Sequence, residues 1–219
     1  MPPLYEPRHP GEFIINEDPG TRSREALKIA ENQNFEPGVI LGKIAVVADV
    51  VASAAARSGN TGNATIAMGT PNVTTKVKDG RYKGIAVTAT TVRWEDPDGK
   101  EIGTSTHGAE FAKGGVKFTI TAGGNANVAG DEFYVDVAAD GEDFQFVEFN
   151  QDGTDGSEVP AALAIYGAKT GAGETTEIAG IVRNAEVNGN CIAWPADLTA
   201  AERANAEQAL GELGIIVRN

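Results

Sequence analysis

The chain is poor in the residues that most enzymes and nucleic-acid binders depend on. It has a single cysteine, Cys191, which excludes an internal disulfide and fits a reducing compartment. Lysine and arginine total 18 against 31 aspartates and glutamates, a net charge of −13. Phosphate backbones call for clustered cations, so no nucleic-acid surface is expected, and anionic membranes should repel such a chain. No apolar run approaches the roughly 20 residues of a membrane helix. The start is rich in proline and lacks the pattern of a signal peptide, so a soluble protein made in a cytoplasm is expected. Aromatics make up only 6% of the chain and histidines number two, which leaves few groups for stacking or proton transfer.

What the chain has instead is glycine, 27 residues of it, and short apolar runs. That profile is turn-rich and β-leaning. Its most organised stretch is Phe35 to Val47, where a Pro37-Gly38 turn leads into Val39, Ile40 and Leu41, and Ile44 to Val47 resume the run. β-Branched residues behind a turn predict a strand buried on both faces. A comparable run, Val159 to Tyr166, lies more than a hundred residues later. Together with the C-terminal end, these runs predict one small core split by an insertion.

In chain order, residues 1–22 hold five of the ten prolines and are expected to form an extended N-terminal arm. Its one apolar island is Phe13, Ile14 and Ile15, suited to adding a strand to a partner's sheet edge, with Phe13 and Ile15 facing one way. Ser23 to Asn34 reads as a short helix with Ser23 as N-cap, or as an extended segment. From Gly59 to Ala138 the chain becomes dense in Gly, Thr and Asn with alternating apolar residues. Ile85, Val87 and Ala89 should share one face, Phe133, Val135 and Val137 another, and Asp96-Pro97-Asp98-Gly99 is a turn. This predicts an inserted all-β, sandwich-like domain at 59–138, flanked by core segments at 23–58 and 139–219. Phe144 to Phe149, Val159 to Tyr166 and Glu177 to Val187 read as strands, and Asn188-Gly189 as a hairpin into Cys191-Ile192. Thr199 and Glu202 form a capping box for a terminal helix with Ala206, Ala209, Leu210 and Leu213 inward, which Gly214 stops. Ile215 to Val217 is a last strand.

No catalytic set can be assembled. His9 and His107 lack metal-ligand spacing, Cys191 has no histidine near it in sequence, and the glycine-rich pieces lack the ending of a phosphate loop. Asp152 to Glu158 has no EF-hand pattern. The expectation is a protein that is not an enzyme, with no cofactor and no metal.

The residues do carry a resemblance. Asp152-Gly153-Thr154-Asp155-Gly156, Ala161 to Ile165, Ala193-Trp194-Pro195 and Gly214 to Val217 resemble the head decoration proteins of tailed phages, the lambda D-like family. Pro37 to Lys43 fits its longer members. The resemblance covers residues 11–57 and 139–219 and leaves out the inserted module. It implies a compact, mainly β core with one C-terminal helix. It also implies a homotrimer on the outer surface of the expanded virion capsid, clamping the major capsid protein against packaged-DNA pressure, with an N-terminal segment that orders on the shell. A second reading is an adhesion or tail-associated module binding glycans; Trp94 and Tyr82, read within strands rather than on loops, count against it.

Overall fold

A computed structural model describes residues 6–219. It is mainly β, with one long helix near the C-terminus among the described residues. The chain divides into two compact units: a second unit of residues 45–144, and a first unit formed by the segments on either side of it.

The first unit is built on a closed five-stranded barrel of Phe144–Glu148, Arg24–Ile29, Thr176–Ile181, Pro160–Ala164 and Ile40–Ala45, in that order around the ring. Two of these strands are buried on both sides. Leu41, Ala162 and Ala164 join a cluster with Leu27 and Ile29. Their sequence neighbours Ile40 and Leu163 turn the other way, to Phe13, Ile181, Val187, Leu210 and Ile215. Alternation along a strand is what delivers neighbours to opposite faces, so the run from Val39 and the run from Val159 each serve two clusters. Val159 itself is exposed.

Arg24–Ile29 is a strand, not a helix. A helix would have buried little beyond Leu27 and two alanines. As a strand the segment buries Leu27 and Ile29 completely and pairs six residues with Thr176–Ile181. Gly180 makes this possible, because a Cβ there would lie 2.1 Å from Leu27 Cδ1. Ser23 is no N-cap for such a helix: its hydroxyl donates to the Glu17 carboxylate at 2.6 Å and to the Asp18 carbonyl.

A three-stranded sheet places Ala185–Asn188 between Ile14–Glu17, antiparallel, and Ile215–Arg218, parallel. The strand expected over Glu177 to Val187 therefore breaks, at Val182 to Asn184, where Asn184 adopts φ +51°. The hairpin expected at Asn188-Gly189 does not form. Both edges of Ala185–Asn188 are already occupied: Asn188 N–H donates to the Phe13 carbonyl, and Gly189 N–H to that of Arg218.

The helix Ala200–Glu212 begins as its sequence predicts. Thr199 Oγ1 accepts from Glu202 N–H, and Thr199 N–H donates to Glu202 Oε2 at 2.8 Å. Ala206 and Leu210 are its buried residues, Ala209 and Leu213 are half-buried, and Gly214 ends it at φ +75°.

The second unit has a five-stranded sheet, Val51–Ala56, Glu132–Ala138, Gly80–Ala86, Thr91–Glu95 and Glu101–Thr106. A three-stranded one, Glu110–Lys113, Val116–Thr121 and Thr65–Val73, shares its core. The alanine-rich run after Val50 enters here, paired residue for residue with Phe133 to Ala138. Trp94 from the first sheet meets Phe118 and Phe111 from the second, at ring distances of 4.4 and 6.2 Å. Its indole N–H donates to Ser105 Oγ. Phe133, Val135 and Val137 face inward as expected, but Gly80–Ala86 is offset by one: Tyr82, Gly84 and Ala86 are buried, and Val87 is exposed. Trp94 dictates this, since its ring fills the space a side chain at Gly84 would take, 2.7 Å from an added Cβ.

Asp131 ties the loops at one end of this unit. Its carboxylate accepts from the N–H groups of Thr61, Gly62 and Val128. Burial pulls its pKa up, but the three donors outweigh that and hold it below the usual 3.8. A lowered carboxylate pKa adds stability that is complete above the usual value and is lost as pH falls through the folded one. Asp131→Asn should therefore flatten the acid slope of unfolding below about pH 4, read from Trp94 fluorescence in a Trp194→Phe background. An unchanged slope would show that the three donors do not favour the carboxylate. In the other unit, Leu210→Ala should cost about 2–5 kcal/mol and Thr199→Ala about 1 kcal/mol in denaturant melts, in that order.

Candidate functional site

The sequence points to the N-terminal apolar island, and the described part of that segment, from Glu6, lies on the first unit. The first five residues of the expected arm fall outside the described residues. Arg8 donates to the Cys191 carbonyl at 2.6 Å, and exposed His9 sits 3.0 Å from Glu6. Gly11 turns the chain at φ +74°, a value glycine adopts without strain, and Ile14 N–H closes the turn on the Gly11 carbonyl.

The three island residues have different fates. Phe13 is fully buried in the chain's own core, beside Gly38, where an added Cβ would stand 3.6 Å from the ring. Ile14 is half-buried against the same cluster. Ile15 is 54% exposed, set outward by a bulge between Ile14 and Asn16. A bulge leaves one residue out of the ladder and re-aims its side chain, so Phe13 and Ile15 do not share a face. Within this chain the island adds its strand to Ala185–Asn188.

Beside it is an open hollow of about 340 Å³ lined by Asn16, Glu17, Asp18, Asn184, Glu186 and Ile216 among others. Ile216 is 45% exposed. Asn16, Glu186 and Ile216 sit in register across the three strands, so an exposed isoleucine borders a largely acidic surface. The carboxylates are not free charges. Arg24 and the Ser23 hydroxyl hold Glu17 below its ordinary pKa, and Glu186 pairs with Arg218 at 2.6 Å. Ile216 was legible in the sequence only as part of a closing strand; nothing in a four-residue run marks which face stays uncovered.

The other singled-out residues do not converge. Cys191 is half-buried. In the Asp152 to Glu158 loop, Asp155 Oδ1 accepts from the Ser157 N–H and hydroxyl, and Glu158 Oε2 from Gly156 N–H. These carboxylates serve their own loop. Among the described residues, no cluster of three or more His, Cys, Asp or Glu could hold a metal ion. Among them, too, no helix is long and apolar enough to cross a membrane. His107 is in the second unit, 3.2 Å from Asn127, and burial lowers its pKa.

The family model for bacteriophage lambda head decoration protein D matches residues 3–215. The chain belongs to this family. As a head decoration protein it is a structural, capsid-associated component of a phage virion. The match runs through residues 45–144 as well as the first unit, so the second unit lies within the region the family model spans. No curated protein matches the chain. Two crystal structures of Xanthomonas campestris FlgL, in space groups H3 and C2, align at 18% identity with TM-scores of 0.31 and 0.32. Each alignment covers 51% of this chain and 33% of FlgL, and bears on neither fold nor role.

The contrast between Phe13 and Ile15 is measurable without any partner. Phe13→Ala should lower the stability of the first unit by about 3–5 kcal/mol. Ile15→Asp, at an exposed bulge, should stay within about 0.5 kcal/mol. Equal losses at both positions would mean that the bulge is not where the ladder breaks.

Proposed function

We propose that this decoration protein binds the outside of the expanded capsid as a homotrimer and stabilises the shell against packaged-DNA pressure. The segment holding Phe13, Ile14 and Ile15 is its contact with the major capsid protein. The observation that carries this reading is family membership over residues 3–215. The geometry supports a division of labour within the island. Phe13 anchors the segment to its own body, and Ile15 stands outward, free to meet a capsid subunit. An exposed isoleucine returns about 1.5–3 kcal/mol on full burial, which alone gives weak attachment. Three copies on one trimer act at high effective concentration and make it firm. Residues 45–144, with their own core, form an inserted domain that folds as a unit and is not needed for this contact.

The test is co-sedimentation with purified expanded and unexpanded capsids. The wild-type chain should pellet with expanded shells only and protect them from disruption by chelator or heat. Ile15→Asp should stay folded and remain in the supernatant. Wild-type retention of that variant would move the contact away from the island, and binding to neither form would overturn the capsid reading.

A further inference from the structure

The first unit carries a groove that the capsid contact does not use. About 220 Å³ in volume, it lies between the helix Ala200–Glu212 and the start of the strand Pro160–Ala164. Buried Phe149, Pro160 and Ala206 line it, together with Val159, which is 56% exposed. Glu158 and Glu202 line it too, and no lining residue is cationic. The Thr199 N–H and hydroxyl hold Glu202 below its ordinary pKa, so the groove keeps an anionic side at neutral pH.

An apolar groove with an anionic side fits a partner that brings an apolar body beside a cation. Among the described residues of the first unit, the other large apolar side chains left exposed are Ile15, Tyr166 and Ile216. Ile15 serves the capsid contact proposed above. Ile216 borders the hollow lined by Glu17, Asp18 and Glu186, a surface that an anionic groove repels. Tyr166, 50% exposed, has the opposite surroundings. Lys169, three residues on, is exposed and makes no ion pair among the described residues. Arg24 is near the phenol as well, its charge met by Glu17. This corner is held firmly. Ile165 N–H donates to the Ala179 carbonyl, and Ala168–Lys169 pairs with Asn34–Phe35. Gly167 lies on the backbone of Phe35 and Glu36, where an added Cβ would stand 2.8 Å from the Phe35 carbonyl oxygen. A tyrosine on a fixed backbone is the kind of side chain that anchors interfaces, since it brings a large area and orders few bonds.

We infer that the homotrimer of the preceding reading, on which this inference rests, closes head to tail, with the Tyr166–Lys169 corner of each copy seated in the groove of the next. The Tyr166 ring packs on the apolar lining, its hydroxyl donates to a carboxylate of the groove, and Lys169 faces Glu158 and Glu202. The space suits one aromatic side chain, whereas drug-sized ligands need roughly 300 Å³ or more. Groove and corner lie at opposite ends of one strand: Pro160 to Tyr166 spans about 20 Å at about 3.3 Å per residue. Two different patches so separated make a heterologous contact, the kind that closes into a ring.

The experiment is zero-length carbodiimide cross-linking of an equal mixture of 15N-labelled and unlabelled full chain, free at high concentration and bound to expanded capsids. Links from Lys169 to Glu158 or Glu202 should appear in mixed-isotope pairs, which only contact between copies can give, and the ladder should stop at three chains. Tyr166→Ala removes the anchor, and Ala209→Trp fills the groove from a half-buried helix position. Each should weaken assembly by about thirtyfold or more with little change in melting. Mixed together, the two variants should form one-to-one pairs and nothing larger, because one keeps only the groove and the other only the anchor. A trimeric wild-type chain without the Lys169 link, or variants that stay trimeric, would overturn this contact and leave the trimer standing. A wild-type chain that is trimeric neither free nor on shells would overturn both. Trimers that survive both variants while Ala209→Trp alone leaves the shells would overturn it in favour of the major capsid protein as the occupant.

Discussion

The first unit depends on two short strands that are covered on both faces where they pair, at Ile40 and Leu41 and at Ala162 to Ala164. Successive residues there go alternately to the barrel cluster and to the layer holding the terminal helix and the three-stranded sheet. Most antiparallel strands keep one face in water and need only one complementary surface. These two need both, so packing errors on either side are felt on the other. Side-chain size is matched to each face. Alanines at 162 and 164 let Leu27, Ile29 and Leu41 fill the interior, while Ile40 and Leu163 reach outward to Phe13 and Leu210. The decoration protein's long helix and its N-terminal segment are thus held by the same pair of strands.

This explains how much was legible in advance. The runs from Val39 and from Val159 are too apolar for one-sided strands, and Ile40–Ala45 and Pro160–Ala164 do pair side by side, although Ala45 and Val47 pack into the core of the second unit. The capping box at Thr199 and Glu202 and the glycine stop at Gly214 are local signals, and they read true. The segment after Ser23 misled because its helical and extended patterns are equally short. The choice was made by Thr176–Ile181, about 150 residues away, and by the missing side chain at Gly180. Asn188-Gly189 failed as a hairpin for a similar reason, since both neighbouring strands come from the far ends of the described chain. Gly80–Ala86 was offset because Trp94, on the next strand, claims the inner side above Gly84. Local chemistry was readable; competition between distant partners was not.

The candidate site shows the same limit in sharper form. Phe13, Ile14 and Ile15 are alike in hydrophobicity, and nothing in their order says that a bulge falls between Ile14 and Asn16. That bulge separates an anchor from an exposed residue. The feature depends on a backbone irregularity, where sequence pattern carries least.

The central position of Ala185–Asn188 also sets a timetable. Ile14–Glu17 leaves the ribosome early, yet its partner strand is made more than 160 residues later. At about 5–20 residues per second, that is a wait of roughly ten to thirty seconds. Throughout it Phe13 has no core to enter, and a loop spanning most of the chain must close before it does. Residues 45–144 can pair all their strands within that interval. The nascent chain therefore carries a finished β domain and an unsatisfied apolar island at once, and the prolines at positions 7, 10 and 19 that bracket the island keep it a poor template for neighbouring chains.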